Sequence, residues 1–249
     1  MPRPEQQALP LCRLLEAQGA STLRLAAIDI KPCGDPGEAR VRIGALDAFG
    51  FIIFTSANAV RFGHSLLKRR GDLTLAAIGP ATARALSGCG YDVSVRPQQG
   101  FTSEALLADP KLQNLTAQRI LLIKGADGRA MLEQELIRRG ADVMAVDVYQ
   151  RTAATPSALE LAAVQAELTA GRLHVVTATS LDVGKCLLEI VPPELRVKLQ
   201  TAHWLVPGER VAAALREYGL CAPVLQASSA EDQDLVSALL RWRGGESRA

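Results

Sequence analysis

Small polar residues and glycines recur in this 249-residue sequence directly after short apolar runs. Thr55-Ser56 follows the run Phe51–Phe54, and Gly125 follows Arg119–Lys124. Where such a turn opens a helix, the first backbone N–H groups are unpaired and the helix dipole is positive, so the turn favours anions. A single Ser, Thr or Asn is more often only a helix cap. Because the pattern recurs, the set predicts binding of a polyanionic ligand.

One stretch shows the elements that must position these turns. Arg119–Lys124 is an apolar run long enough for a buried strand, and Ala130–Arg139 has the apolar spacing of a helix that Gly140 is placed to end. A second strand follows and runs out to Tyr149. Ligands bind at the carboxyl ends of strands in open parallel sheets, and Gly125 lies at that end.

Similar series of strands, turns and helices occur in two parts of the chain, which predicts an α/β protein of two similarly built domains. Residues 1–30 and 155–249 are predicted to form one discontinuous domain, with residues 38–147 inserted as the other. Residues 31–37 and 148–154 are then the linkers. The first linker carries two prolines and two glycines, a composition that argues against regular structure.

Other patterns predict single elements. Apolar spacing predicts a helix over Pro4–Gln18, and short apolar runs predict strands over Leu23–Ile30, Asp92–Val95 and Leu173–Thr177. Each predicted strand except the first is followed by a turn and a further helix, as in parallel α/β sheets.

Bulk composition argues against several classes of function. The formal net charge of +2 is too small to favour nucleic acid, and no basic cluster with interleaved aromatic residues stands out. No apolar run approaches the roughly 18 residues of a membrane span, and the N-terminus does not resemble a signal peptide. The five cysteines and three histidines are scattered without metal-ligand spacing. We therefore expect a cytoplasmic protein with reduced thiols and no metal site.

No catalytic motif stands out from spacing alone. The phosphate-loop pattern is absent, and Gly125-Ala-Asp-Gly128 lacks the third glycine of a dinucleotide fingerprint. No Ser-His-Asp or Cys-His arrangement is indicated. The pattern by itself predicts a two-domain α/β protein that binds a polyanionic ligand in a cleft.

The motifs taken together resemble those of the uroporphyrinogen-III synthase family in order and spacing, over essentially the whole chain. The main motifs are Phe54–Val60, Ile78–Leu86, Thr102–Leu107, Leu122–Arg129 and Val148–Arg151. Shorter matches are Arg3-Pro4, Thr179-Ser180 and Val206–Arg210. Each motif is weak alone, but their common order is specific.

The resemblance implies a fold of two flavodoxin-like parallel-sheet domains joined by a two-stranded linker, with a cleft between them. It implies closure of linear hydroxymethylbilane to uroporphyrinogen III, with loss of water and inversion of the last pyrrole ring. No cofactor is implied, and a monomer without nucleic-acid or membrane partners is expected. The substrate carries acetate and propionate groups, so it suits the predicted anion-binding turns.

The resemblance also implies site residues. Tyr149, near the domain junction, is implied as the proton donor to the leaving hydroxyl; the alternative is a packing aromatic at a strand end. The residues implied to bind substrate are Arg3, Ser56, Asn58, Thr82, Ser103, Lys124, Gly125, Arg129, Thr179, Ser180, Gly208 and Arg210. For the hydroxyl residues among them, helix capping alone is the alternative.

Two departures from the family pattern leave alternatives open. Family members usually begin with an apolar strand that runs into Thr-Arg-Pro, whereas this sequence begins Met1-Pro2-Arg3. We therefore expect the natural start to lie upstream. Gly208 stands where a Ser or Thr is expected. The alternatives are a non-enzymatic two-domain ligand-binding module and a catalytically impaired relative.

Overall fold

The computed structural model consists of two compact units. Unit 1 contains Met1–Asp29 and Thr152–Ala249, and unit 2 contains Ile30–Arg151. Unit 1 is therefore discontinuous in sequence, and unit 2 is inserted between its two segments. The residues whose structure is described here are 1–67, 74–128 and 130–245.

Helices and short strands alternate along most of the chain. The strands are β1 (Ile28–Pro32), β2 (Phe51–Phe54), β3 (Leu75–Ala77), β4 (Arg119–Gly125), β5 (Asp142–Ala153), β6 (Val175–Thr177), β7 (His203–Pro207) and β8 (Val224–Ala227). The helices are α1 (Glu5–Ala17), α2 (Pro36–Ile43), α3 (Ala57–Gly63), α4 (Pro80–Gly88), α5 (Ser103–Leu107), α6 (Met131–Arg138), α7 (Ala158–Thr169), α8 (Leu181–Ile190), α9 (Pro193–Leu199), α10 (Glu209–Glu217) and α11 (Asp232–Arg243). The expected α/β class with parallel sheets is confirmed.

The larger sheet has the order β1-β5-β4-β2-β3, and β5, β4, β2 and β3 are parallel. Val95 extends the order by one parallel bridge to Ala76 of β3. The backbone N–H of Cys33, just after β1, donates to the carbonyl of Val148 in β5 at 3.1 Å. Within this sheet, β3 lies beside β2 on one side of the β2–β4 pair, and β5 lies beside β4 on the other side.

The sheet of unit 2 is covered on both faces. Ile52 and Phe54 of β2 pack in one core with residues of α3 and α4, whereas Ile53 packs in another with residues of α5 and α6. Burial of both faces explains why these strands are continuous apolar runs rather than alternating ones. The result is a three-layer arrangement in which the parallel strands β2, β3, β4 and β5 end at the same edge of the sheet.

Unit 1 repeats this layering around the parallel order β6-β7-β8. Trp204 of β7 is fully buried among α7, α8, α9 and α10, and Leu205 faces the core of α1 and α11. Beside the sheet, the N-terminal amino group of Met1 donates to the carbonyl of Leu23 at 2.8 Å, and the N–H of Leu25 donates to the carbonyl of Met1 at 3.2 Å.

Several predicted elements differ from the structure. The strand predicted over Leu23–Ile30 is wrong in its bounds, since β1 begins at Ile28 and reaches Pro32, and Asp92–Val95 forms only the single bridge at Val95. Helix α2 falls partly on the supposedly irregular first linker. Asp35 caps that helix and Pro36 occupies its first turn, which is a helix start signal rather than a break. The helix end predicted at Gly140 is confirmed, with a φ of 92° there.

Candidate functional site

The carboxyl ends of β2 and β4 form the candidate site of unit 2. These two neighbouring strands lead into connections that run to opposite sides, because β2 continues to β3 whereas β4 continues to β5. Ligands of open α/β sheets bind at such a switch in strand order. Ser56 follows β2, and Gly125 ends β4, so the sequence-predicted turns meet at this position.

A β-bulge directs Tyr149 to this switch. Lys124 pairs with Asp147, but Gly125 pairs with Tyr149, so Val148 is the extra residue of β5. Successive residues of a regular strand point to opposite faces, yet Val148 and Tyr149 both pack in the core that contains α3 and α4. Bulges re-aim side chains in this way and are frequent beside active sites.

The Tyr149 side chain is buried, with 5% of its surface exposed. Its hydroxyl lies 3.1 Å from the Ser56 Oγ, and its ring stacks on Phe62 of α3 with 6.1 Å between the ring centroids. Ser56 also caps α3, because its Oγ accepts the N–H of Ala59 at 3.0 Å. The structure therefore brings Ser56, Gly125 and Tyr149 together.

Lys124 lies on the opposite face of β4 from Gly125 and forms an ion pair. Its Nζ is 3.0 Å from the Asp147 Oδ1, and only 12% of the lysine side chain is exposed. A ligand carboxylate would have to compete with Asp147 for this ammonium group.

The other candidates of unit 2 lie at helix starts. Asn58 is half-buried in the first turn of α3. Thr82 is buried in the first turn of α4, whose N-cap is Gly79, and Ser103 is the first residue of α5, whose cap is Thr102. Capping is therefore the role of Ser56 but not of Thr82 or Ser103. Arg129 lies outside the described residues.

Unit 1 presents a corresponding set of turns after β6 and β7. Ser180 caps α8 by accepting the N–H of Val183 at 3.2 Å, and Thr179 precedes it. Gly208 is the N-cap of α10 and has a φ of 78°, a left-handed conformation that suits glycine better than the expected Ser or Thr. Arg210 is exposed in the first turn of α10.

Arg3 is placed differently from an exposed ligand-binding arginine. Only 9% of the residue is exposed, and its guanidinium donates to the Asp232 carboxylate and to the carbonyl of Ala230 at 2.6 Å. These contacts join the N-terminal segment to the start of α11 within unit 1. Arg3 is thus already neutralised in this structure.

Sequence reasoning missed Phe62 and Asp147, which contact Tyr149 and Lys124 respectively. The adjacent apolar pair Val148-Tyr149, which breaks the alternation of β5, was a usable signal for the bulge. Within residues 1–67, 74–128 and 130–245, no group of three or more His, Cys, Asp or Glu side chains is arranged to hold a metal ion. Among the same residues, none of the helices is both long and apolar enough to cross a membrane.

The chain matches known proteins in sequence. The family model described as uroporphyrinogen-III synthase HemD matches residues 10–237. The chain is 33% identical to a uroporphyrinogen-III synthase of Salmonella typhimurium over 212 aligned residues. The alignment covers 80% of this chain and 81% of that protein. It is 28% identical over 248 residues to the protein of the same name from Escherichia coli, with 95% and 97% covered.

Solved structures show the same fold. A uroporphyrinogen-III synthetase from Helicobacter pylori gives a TM-score of 0.60 at 16% identity, covering 88% of this chain and 92% of that one. A mutant uroporphyrinogen III synthase from Thermus thermophilus gives 0.58 at 22% identity, with 96% and 95% covered. The sequence match extends over both units, and the structural match shows the fold. The chain therefore belongs to the uroporphyrinogen-III synthase family, an enzyme family of tetrapyrrole biosynthesis.

Proposed function

We propose that this chain closes hydroxymethylbilane to uroporphyrinogen III, with loss of water and inversion of the last ring, and that Tyr149 assists departure of the hydroxyl. The observation that carries the proposal is the Tyr149 phenol, held beside Ser56 at the strand switch of a chain that matches the family over residues 10–237. This reaction makes the chain a cyclising hydro-lyase.

The two units correspond, in this proposal, to two flavodoxin-like domains, with boundaries at residues 1–30 plus 155–249 and 38–147. Strand order supports it. The comparison needs a circular renumbering, in which β4 is strand 1, β5 is strand 2, β2 is strand 3, β3 is strand 4 and the Val95 segment is strand 5. With these numbers the spatial order is 2-1-3-4-5, which is the flavodoxin order. The two-stranded linker consists of residues 31–37 and 148–154. The substrate lies in the cleft between the domains.

Domain closure around the substrate follows from this proposal, because a narrow connection leaves domains free to move. Small-angle scattering of the chain with and without bound product should show a more compact particle with product. Identical profiles at saturating product would contradict closure. A monomeric state, a cytoplasmic location and the lack of nucleic-acid partners remain predictions.

The mechanism begins in the substrate. A pyrrole nitrogen expels the hydroxyl, the Tyr149 phenol donates a proton so that water leaves, and an electrophilic azafulvene remains. The substituted carbon of the last ring attacks it and gives a spiro intermediate, which fragments and recloses the other way round. The phenol regains its proton from the substrate as the ring closes. Because closure without the enzyme gives the uninverted isomer, the protein acts mainly by positioning.

The remaining candidates are proposed to hold the substrate carboxylates. Backbone N–H groups and hydroxyls at helix starts suit that task. Arg3 can bind a substrate carboxylate only when that carboxylate replaces Asp232, and Lys124 only when one replaces Asp147. The other residues proposed to contact substrate are Ser56, Asn58, Thr82, Ser103, Gly125, Arg129, Thr179, Ser180, Gly208 and Arg210.

The test supplies purified protein with freshly made hydroxymethylbilane and separates the type I and type III products. We expect the type III isomer in excess over a blank without protein, which yields type I. Formation of type I alone at the rate of the blank would overturn the proposal. Binding of the bilane without turnover would instead identify a non-enzymatic ligand-binding module.

A further inference from the structure

Gly125 is tightly covered by the Tyr149 ring. A Cβ atom at Gly125 would lie 2.6 Å from the Tyr149 Cζ, 2.9 Å from its Cε2 and 2.9 Å from its hydroxyl oxygen. Contacts under about 3 Å do not occur for real Cβ atoms, so an added methyl group must displace the ring. Gly125 is not among the glycines with positive φ. Space, rather than backbone freedom, therefore explains a glycine here.

We infer that Gly125 is a positioning residue for the proposed reaction: its missing side chain lets the Tyr149 phenol lie across the end of β4 and reach Ser56. The inference rests on the proposed proton-donor role of Tyr149. It assigns Gly125 a role through another residue, whereas the family resemblance implied only that Gly125 lines the substrate site.

The backbone of Tyr149 cannot retreat to accommodate a methyl group. The N–H of Ala126 donates to the Tyr149 carbonyl at 2.9 Å, and the β4–β5 ladder places Tyr149 directly beside Gly125. The preceding residue, Val148, packs against Gly63 of α3, since a Cβ at Gly63 would meet its Cγ1 at 3.3 Å. The ring must therefore swing about its own side-chain bonds, and the hydroxyl at its tip moves farthest.

Displacement of the hydroxyl has a chemical consequence. The Ser56 Oγ already accepts the N–H of Ala59, so its own hydrogen is available for the Tyr149 oxygen 3.1 Å away. In that arrangement the phenol accepts from Ser56 and keeps its proton for the leaving hydroxyl of the substrate. A phenol moved away from Ser56 loses this orientation, so Gly125→Ala should behave as though the hydroxyl were missing.

A double-mutant cycle tests the inference. We expect Tyr149→Phe and Gly125→Ala each to lower kcat by about 10²-fold, the low end for positioned acid catalysis. The variant carrying both changes should stay within about threefold of Tyr149→Phe, because sites that act through one group are not additive. A loss of about 10⁴-fold in the double variant, which is the product of the two, would overturn the inference.

Two glycine-to-alanine variants serve as matched controls. Gly88→Ala places its Cβ in open space at the end of α4, so we expect no loss of stability and an unchanged kcat. Gly184→Ala in α8 of unit 1 places its Cβ 2.5 Å from the Leu215 Cδ2, so it reproduces a packing clash away from Tyr149. It should lower the melting temperature but not kcat per folded molecule. If Gly125→Ala behaves like Gly184→Ala, its role is only packing.

A second readout separates this inference from the proposed function. The chain has three tyrosines, so a sample labelled with ¹³C at tyrosine Cζ gives three assignable signals, and Tyr149→Phe identifies one of them. Gly125→Ala should shift the Tyr149 signal and leave those of Tyr91 and Tyr218 in place. An unmoved Tyr149 signal overturns the positioning role whatever the activity. A shifted signal with wild-type kcat in both single variants supports positioning and overturns the proton-donor role instead.

Discussion

The two units use polar residues beside helix starts in different ways. In unit 2, the turn after β2 brings together two neutral hydroxyls, those of Ser56 and Tyr149. In unit 1, the N-terminal segment supplies a charged group, Arg3, which is paired with Asp232. The Arg3 guanidinium is thus already paired within the protein. The Ser56–Tyr149 hydroxyl pair, in contrast, retains a proton that it can donate.

The difference follows from the energetics of burial. An ionised side chain that is buried needs a partner of opposite charge, and Arg3 finds one at the start of α11. A hydroxyl is satisfied by one or two hydrogen bonds and remains chemically available. A charged side chain beside a helix start therefore does not by itself identify a ligand contact.

The largest expected effect concerns the neutral pair. Tyr149→Phe keeps the ring against Phe62 and deletes the donor, so we expect kcat to fall by about 10²-fold while the protein stays folded. Type III should remain the main product, because positioning of the substrate by the turns survives. Steady-state assays with separation of the product isomers measure both quantities.

Two other outcomes would change this interpretation of unit 2. A loss of stability with unchanged turnover per folded molecule would make Tyr149 a packing residue. A change to type I product at normal substrate consumption would show that Tyr149 holds the last ring, and the proton-donor role would be wrong.

Local patterns were sufficient to predict the elements that carry Ser56, Gly125 and Tyr149. Apolar runs followed by small polar residues predicted β2 and β4 with their turns, and Gly140 marked the end of α6. These features are determined by a few neighbouring residues, through burial, backbone conformation and helix capping. The turns of the site could therefore be predicted from the sequence.

Contacts between distant residues could not be predicted in the same way. Arg3 and Asp232 are separated by 229 positions, and nothing near either residue indicates the pair. The bulge at Val148 depends on the register of β5 against β4, which is a property of two strands together. Asp35-Pro36 was interpreted as a break because its composition suits both a turn and a helix start.

The second prediction concerns the charged pair of unit 1. Arg3→Met removes both guanidinium contacts and leaves Asp232 without them, so we expect the free energy of unfolding to fall by roughly 1.5–3 kcal/mol. The kcat per folded molecule should be retained, because the proposed exchange of Asp232 for a substrate carboxylate bears on KM. Urea denaturation measures the loss, and adding Asp232→Asn should recover part of it, because the unpaired carboxylate is then neutral. Wild-type stability with a raised KM would show that Arg3 binds substrate instead.

The third prediction compares the two serine caps. Ser56→Ala and Ser180→Ala each remove a side-chain cap, so each should cost about 1 kcal/mol of stability. Only Ser56 also contacts the Tyr149 hydroxyl, so only Ser56→Ala should in addition lower kcat severalfold. Ser56→Thr retains the hydroxyl and should restore most of that activity. Equal effects of the two alanine variants on kcat would mean that the two strand ends do not differ as proposed.

The smallest expected effect concerns Glu135 of unit 2, which pairs with Arg139 as Asp232 pairs with Arg3 in unit 1. Arg139 donates to the carbonyls of Leu107 and Leu112 at 2.6 and 2.8 Å and to the Glu135 carboxylate at 2.8 Å. Hydrogen bonds from Arg138 and then Arg139 lower the pKa of Glu135 from 4.5 to about 2.

A carboxylate whose pKa is lower in the folded state than in the unfolded state adds stability above its unfolded pKa, and that stability is lost as the pH falls through the folded one. The contribution of Glu135 should therefore be complete above about pH 4.5 and should disappear towards about pH 2. Glu135→Gln cannot ionise, so its urea midpoint should fall less between about pH 5 and about pH 3 than that of the wild type. The Arg138 partner is 72% exposed and its ion pair with Glu135 is screened by solvent, so the difference should be the smallest of the four. Parallel pH dependences of the two proteins would mean that Arg139 is held by the two carbonyls alone, in contrast to Arg3, which is paired with the Asp232 carboxylate.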